Sequence, residues 1–480
     1  MNFKAIFNLI GTLIFFLGLL MLIPAGISIY FNEGVADVFI ICTALTSLLG
    51  FLTRILSGGE EKITRKECFV VVTLSWISAT IIGSLPFLFV GIFSSFTDAF
   101  FETISGLTTT GATVIVDIEA QPLSILFWRS FLQWLGGMGI IVLFIAILPN
   151  LGIGGTRLFD AEVPGPVPEK LEPRIRKNAK ALWKIYIGLS ILMTILLWLA
   201  GMNLFDAVNH AFTTMATGGY STKTASAGAW DSPIIHLILL LFMFMAGTSF
   251  ALYFRVLHGE SKALLRDSEF KFYVFIILIA TLIITWNLFT NTSMKFITSL
   301  REAGFQVVSI ITTTGFATTD FDTWPPLAKG ILLTLMFVGG CAGSTGGAIK
   351  VGRLLVVLKY SYNELFNFIN PRAVTVNKIN GIPIKSEVLN KILGFVFIYI
   401  LTFVLATLIM MALGFDLVSA GSAIASALGN VGPGLGLVGP AKTYAPICAL
   451  GKWVLSLCML LGRLELYTVL VLLLPDFWRT

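Results

Sequence analysis

The feature that most constrains this chain is its succession of apolar runs long enough to cross a bilayer. A helix needs about 20 apolar residues to span the hydrocarbon core. Such runs occur near 5–31, 35–53, 68–92, 123–149, 181–202, 233–257, 271–290, 327–359, 391–413 and 447–475. Only 12% of the 480 residues are charged, against about 25% in a soluble domain. A water-soluble fold would expose too much apolar surface, so lipid is the solvent. The sequence predicts an all-α polytopic membrane protein with ten spans. Residues 1–30 lack a small-residue cleavage site and read as a retained first span.

Four shorter apolar stretches, near 96–108, 204–215, 299–312 and 416–428, are too short to cross and suit buried or re-entrant helices. The segments 52–67, 151–181, 255–271 and 350–391 hold 21 basic residues and 12 acids. The segments 91–125, 203–233, 291–329 and 414–450 hold 5 basic residues and 10 acids. Because Lys and Arg are retained on the cytoplasmic side, the first set is read as cytoplasmic, with both termini inside and every short stretch external. The net charge of +6 therefore sits in loops that set topology, and no nucleic-acid partner is implied. The five cysteines form no C-x-x-C pair and the three histidines are scattered, so neither a disulfide framework nor a zinc site is expected. An intramembrane enzyme would need an embedded His/Glu or Ser/His set, and His210 alone does not make one.

Each external loop repeats one layout: span, short helix, glycine-containing loop, span. The loops contain Thr109-Thr110-Gly111, Ala216-Thr217-Gly218, Thr313-Thr314-Gly315 and Asn430-Val431-Gly432, their glycines 107, 97 and 117 residues apart. Backbone polar groups at membrane depth must face protein or a water-filled cavity. Four loops converging on an axis satisfy this by turning carbonyl oxygens toward a permeating cation, in place of its hydration shell. Glycine supplies the positive φ such a turn needs. A short helix ending at the loop adds the partial negative charge of its C-terminus. The loops hold no carboxylate, which favours a weakly hydrated monovalent cation over Ca²⁺. Asp98, Glu102, Asp117, Glu119, Asp320 and Asp322 are expected to gather cations at the outer mouth. Copy four has Val431 where a threonine would stand, so the ring is expected to be asymmetric.

These loops, together with Phe127-Trp-Arg129-Ser-Phe-Leu-Gln133-Trp-Leu-Gly-Gly and Ala161-Glu-Val-Pro-Gly-Pro, resemble those of the Trk/Ktr/HKT superfamily of potassium transporters over roughly residues 68–475. The resemblance implies four repeats in pseudo-fourfold symmetry: an N-terminal helix pair at 1–67, then repeats at 68–180, 181–270, 271–386 (with a broken second span) and 387–480. It implies K⁺ uptake across a bacterial inner membrane, with Gly111, Gly218, Gly315 and Gly432 as filter glycines. In that family glycine at all four positions goes with K⁺, and serine in the first copy goes with Na⁺. It also implies a homodimer and a cytosolic Rossmann-type nucleotide-binding regulatory subunit (TrkA-like) docking on loops 151–180 and 350–391. A Na⁺- or H⁺-coupled symporter with alternating access is the rival reading.

The run 327–359 carries Gly339-Gly340-Cys-Ala-Gly343-Ser344-Thr345-Gly346-Gly347. Five glycines there cost about 1 kcal/mol each relative to alanine in a helix. They mark either close helix packing or a broken span; the resemblance implies an intramembrane gating loop, with Lys350 just past it. Arg463, inside the last span, is costly at such depth and needs a cavity or carbonyl partners. A pair with Glu465 is disfavoured, since residues two apart point to different helix faces. The resemblance has Arg463 bonding the loop. Arg129 is expected to anchor its span at the outer surface.

Overall fold

The computed structural model describes residues 1–58, 63–139 and 175–479. The Ala161–Arg174 stretch, and most of the 151–180 loop expected to meet a partner, lie outside those residues. What is described is a helical membrane protein. Its only strands among the described residues are two two-residue ladders, Val338–Gly339 parallel to Ile349–Lys350 and Lys378–Ile379 antiparallel to Ile382–Pro383. Among the described residues six helices are long and apolar enough to cross a membrane: Phe3–Tyr30, Ala36–Ser57, Lys66–Phe89, Ala179–Leu199, Ser268–Asn291 and Ser386–Ala412. Their outer faces carry exposed Leu48, Leu52, Ile191, Leu282 and Leu408, as a lipid-facing surface must.

The run 327–359 is interrupted, and two further spans bend sharply. Helix Pro233–Ala246 meets Phe250–Leu257 at 93°, and Ala449–Arg463 meets Leu466–Leu473 at 114°. The run 327–359 is helix Pro326–Leu335, then irregular backbone, then helix Val351–Ile369. Each break has a local cause. A Cβ on Gly247 would lie 2.6 Å from the Tyr273 hydroxyl and 2.7 Å from a Thr312 methyl, so the chain turns where it presses on a neighbour. At the other bend, Glu465 takes φ 54°, which no helix continues. Of the run 123–149, the helix Leu123–Gly137 is described.

The N-terminal helices interlock through small residues: a Cβ on Gly18 would meet the Thr46 hydroxyl at 2.3 Å, and one on Gly50 would meet the Phe15 nitrogen at 2.4 Å. Such contacts let backbones approach where lipid offers no hydrophobic drive to association. Glu33 then accepts hydrogen bonds from the Leu123 and Ser124 amides, capping the helix of the first repeat with a carboxylate at its positive end.

The four short helices form where expected, at Phe96–Leu107, Leu204–Met215, Phe296–Ile311 and Leu417–Gly429. Three have side-chain N-caps: Ser95 accepts from the Thr97 amide, Asn203 from Asp206 and Asp416 from Ser419. Each cap is worth about 1 kcal/mol. Their C-terminal ends are gripped by glycines of neighbouring helices. A Cβ on Gly136 would lie 1.8 Å from the Leu107 oxygen, and one on Gly462 would lie 2.2 Å from the Leu428 oxygen.

Candidate functional site

Each short helix ends in the same cap. The amide of Thr110 donates to the Ser105 oxygen at 2.8 Å, Gly218 to Thr213 at 2.8 Å, Thr314 to Ser309 at 2.9 Å and Val431 to Ser426 at 2.9 Å. Inside each closure one residue is left-handed: Thr109 (φ 55°), Thr217 (φ 53°), Thr313 (φ 59°) and Asn430 (φ 54°). This is the Schellman closure, normally made with glycine. A β-branched residue at positive φ is an outlier, so three threonines mark backbone held under strain, as functional sites hold it. Two residues on stand Gly111 (φ 83°), Gly219 (φ 73°), Gly315 (φ 80°) and Gly432 (φ 106°).

The second loop therefore runs one residue later than the sequence alignment placed it. Gly219, not Gly218, matches Gly111; Thr217 matches Thr109; and Ala216 falls back onto the helix cap, like Thr108. The glycines close a ring. A Cβ on Gly111 would lie 2.1 Å from the Gly218 oxygen, on Gly219 1.9 Å from the Thr314 oxygen, on Gly315 2.0 Å from the Val431 oxygen, and on Gly432 2.6 Å from the Thr110 oxygen. Each loop thus leans its bare glycine against a carbonyl of the next, and the fourth returns to the first. Thr109, Thr110, Thr217, Thr313, Thr314, Asn430 and Val431 are all buried.

Behind the ring, side chains from the short helices pin the loops. Nine residues before the ring glycine stand Glu102, His210 and Gln306. Glu102 accepts from the Val114 amide at 2.9 Å, His210 Nε2 meets the Ser221 hydroxyl at 3.0 Å, and the Gln306 amide, in the orientation that suits its neighbours, accepts from Thr318 N at 2.9 Å. The fourth copy uses Ser422, which accepts from the Leu435 amide at 2.9 Å. Arg129 is 1% exposed and pairs with fully buried Glu102 at 2.8 Å. It also donates to the Ser221 oxygen and the Thr113 hydroxyl, and lies 4.1 Å over the Tyr220 ring. The expected outer anchor is instead a buried staple between loops one and two. For the same reason Glu102 does not face the mouth. Asp98 is likewise engaged, by Lys452 at 2.6 Å. Gln133 donates to the Gly218 oxygen at 2.6 Å and accepts from Tyr220 at 3.1 Å, fixing loop two from both sides. Residue-by-residue reading of the loops missed these braces; the shared polar position nine residues before each of three glycines was the available signal.

The backbone at 336–350 runs against the feet of these loops. The Thr217 hydroxyl donates to that of Thr345 at 3.2 Å, the Gly347 amide donates to the Thr313 hydroxyl at 2.9 Å, and a Cβ on Gly347 would meet the Gly429 oxygen at 2.5 Å. Gly340 lies against the Gly247 oxygen, and the Gly343 oxygen accepts from Phe250 at 3.0 Å. Gly339 and Gly346 also sit on close backbone contacts, while the buried Ser344 hydroxyl packs against Gly340. The glycines serve an irregular loop and not a continuous packed helix. Arg463 donates to the Thr345 oxygen at 2.6 Å and to the Gly136 and Gly137 oxygens, the latter at 2.7 Å. Lys350 donates to the Gly346 oxygen. Glu465 pairs with Arg353 at 2.6 Å and not with Arg463; it lies past the end of the helix Ala449–Arg463, so the bend and not a helix face sets its direction. Beyond the loop lies a cavity of about 110 Å³ lined by Trp76, Phe250, Lys350, Phe395, Arg463 and Glu465 among others.

A helical membrane chain whose neutral loops meet in a closed ring of backbone oxygens has the build of an integral-membrane protein that handles cations. Comparison with known proteins narrows that class. The family described as "TrkH: Cation transport protein" matches residues 33–479. The Trk system potassium uptake protein TrkH of Salmonella typhimurium is 42% identical over 100% of both chains. TrkG of Escherichia coli K12 is 32% identical over 99% of both. The crystal structure of the potassium transporter TrkH from Vibrio parahaemolyticus superposes with a TM-score of 0.90 at 41% identity, covering 100% of both chains. The chain belongs to the TrkH family of cation transport proteins.

Proposed function

We propose that this protein carries K⁺ into the cell across the bacterial inner membrane through the ring of loops, acting as a selectivity filter, with both termini in the cytoplasm. The observation that carries the reading is the cyclic contact of Gly111, Gly219, Gly315 and Gly432 with the carbonyls of their neighbours. Backbone oxygens fixed this way offer neutral dipoles in place of water. The membrane potential drives entry, at about 2.3 kcal/mol per charge per 100 mV. The loop at 336–350 is the gate: it lies against the feet of loops two, three and four, and Arg463 ties it across to the first repeat. With Lys350 beside it, Arg463 also sets positive charge on the ion's path.

In this reading the protein works as a homodimer, and a cytosolic nucleotide-binding subunit of the TrkA kind opens the gate. The chain itself needs no organic cofactor and does no enzymatic chemistry. The closed ring favours conduction past fixed oxygens over an alternating-access symporter. The test is flux of K⁺, Rb⁺ and Na⁺ through the purified protein in liposomes, with single-channel recording. Passage of K⁺ and Rb⁺ with Na⁺ refused is expected; equal permeation by all three overturns the filter.

A further inference from the structure

We propose that Glu269 is a positioning residue that clamps the middle of the intramembrane loop to the helix that follows it, and that the Asn380 turn holds Glu269 in place from outside the membrane. The inference rests on the reading of 336–350 as a gate. Glu269 lies in the first turn of the helix Ser268–Asn291. One of its carboxylate oxygens, Oε1, accepts from the Ala342 amide at 2.7 Å and from the Gly352 amide at 2.8 Å. Ala342 lies midway along the loop and Gly352 in the first turn of the helix Val351–Ile369 that follows it, so a single oxygen ties the middle of the loop to that helix. The approach is close enough that a Cβ on Gly352 would lie 2.8 Å from that oxygen. Hydrogen bonds to a carboxylate are about twice as strong as neutral ones. In this part-buried site, each one lost leaves an amide without its carboxylate partner.

The helix end bearing Glu269 is itself fastened. Asn380, left-handed at φ 51°, accepts from the Ser268 amide at 2.7 Å and donates to Asp267 at 2.8 Å. Its hairpin, Lys378–Pro383, is tied to the helix that follows the loop. Lys359 donates to the Lys378 oxygen at 3.0 Å, and Asn363 donates to Asn377 at 2.8 Å. The hairpin, the start of the helix Ser268–Asn291 and the loop thus form one connected chain of hydrogen bonds. Its outer end is exposed, with Ile382 at 69%. Displacing the hairpin would pull on Glu269, and through it on the middle of the loop and the start of the helix that follows.

Both amide bonds land on Oε1, which a glutamine amide oxygen can replace. Glu269→Gln should therefore keep the clamp, whereas Glu269→Ala loses it and Asn380→Ala loosens it. Basal K⁺ flux in proteoliposomes, with no regulatory subunit, should rise tenfold or more in Glu269→Ala, which loses both bonds, since one lost charge-assisted bond corresponds to about tenfold. It should rise less in Asn380→Ala and least in Glu269→Gln, which keeps both bonds but not their charge. Maleimide labelling of Cys341, which is 1% exposed and adjoins Ala342, should accelerate in the same order. Arg463→Ala is measured alongside. If it raises flux while folded Glu269→Ala matches wild type in flux and labelling, the clamp is overturned and the gate stands. If neither raises flux, the gate reading falls and the clamp with it. Should Glu269→Ala not fold, Asn380→Ala decides: wild-type flux and labelling there overturn the proposal.

Discussion

Replacing Gly219 by alanine separates the register seen in the structure from the one suggested by sequence alone. The new Cβ would sit 1.9 Å from the Thr314 oxygen, whereas ordinary contact begins at 3.4 Å, so that oxygen must retreat by roughly 1.5 Å. Alanine at positive φ adds about 1–2 kcal/mol of strain. A carbonyl displaced so far no longer faces the ion. Losing one such charge–dipole contact costs about 1.5–3 kcal/mol, a fall of roughly 10- to 150-fold in K⁺ over Na⁺ preference. Gly218→Ala is the control. Its φ is not positive, and three sister copies carry Thr110, Thr314 and Val431 at the same place. The atoms nearest the added methyl belong to the Gln133 side chain, at 2.4–2.7 Å, so a smaller loss is expected as that amide yields. Reversal potentials in mixed KCl and NaCl measure both variants. Wild-type selectivity in Gly219→Ala, with collapse in Gly218→Ala, would refute the register and the ring built on it.

Other outcomes follow from the same geometry. Gly111→Ser should also erode K⁺ preference, because its Cβ would lie 2.1 Å from the Gly218 oxygen, and an unaltered reversal potential would count against it. Arg463→Ala should raise basal K⁺ flux by releasing the Thr345 carbonyl; flux and activator dependence both unchanged would remove Arg463 from the gate. Arg129→Met leaves Glu102 buried and unpaired, a loss of about 3–5 kcal/mol, seen as a lower melting temperature in detergent; an unshifted melting curve would show the pair to be dispensable. Partial desolvation pushes the Glu119 carboxyl up, but hydrogen bonds from the Thr224 hydroxyl and amide outweigh it and hold the pKa below the usual range. A depressed carboxylate stabilises above its unfolded pKa and stops doing so as pH falls through the folded value. The Glu119–Thr224 contact should thus persist at neutral pH and loosen in acid, which amide exchange at Thr224 will report.

Much of this was legible in the sequence because membrane physics leaves few choices. An apolar stretch of about 12 residues beside a glycine loop can hardly be anything but a short buried helix, and all four formed. The second loop misled because Thr217-Gly218-Gly219 offers two adjacent glycines. Matching Thr217 to Thr110 looked natural, yet the choice belongs to the helix cap, whose closing bond runs from Gly218 to Thr213. The bends at 246–250 and 463–466 carry no proline and are set by neighbouring helices, which a single run of letters does not contain. Arg129 looked like an anchor because its partner Glu102 lies 27 residues away on another helix.

The ring also says which changes the four copies can bear as they diverge. The hydroxyl just before the ring glycine is negotiable: Gly218 and Val431 stand where Thr110 and Thr314 keep theirs. The bare glycine is not, since each presses on the copy that follows it. A duplicated gene could let its four quarters drift apart in almost every letter, but a methyl group gained at any one of these four points would be felt by its neighbour. The copies are unlike in sequence and still bound to evolve as one object.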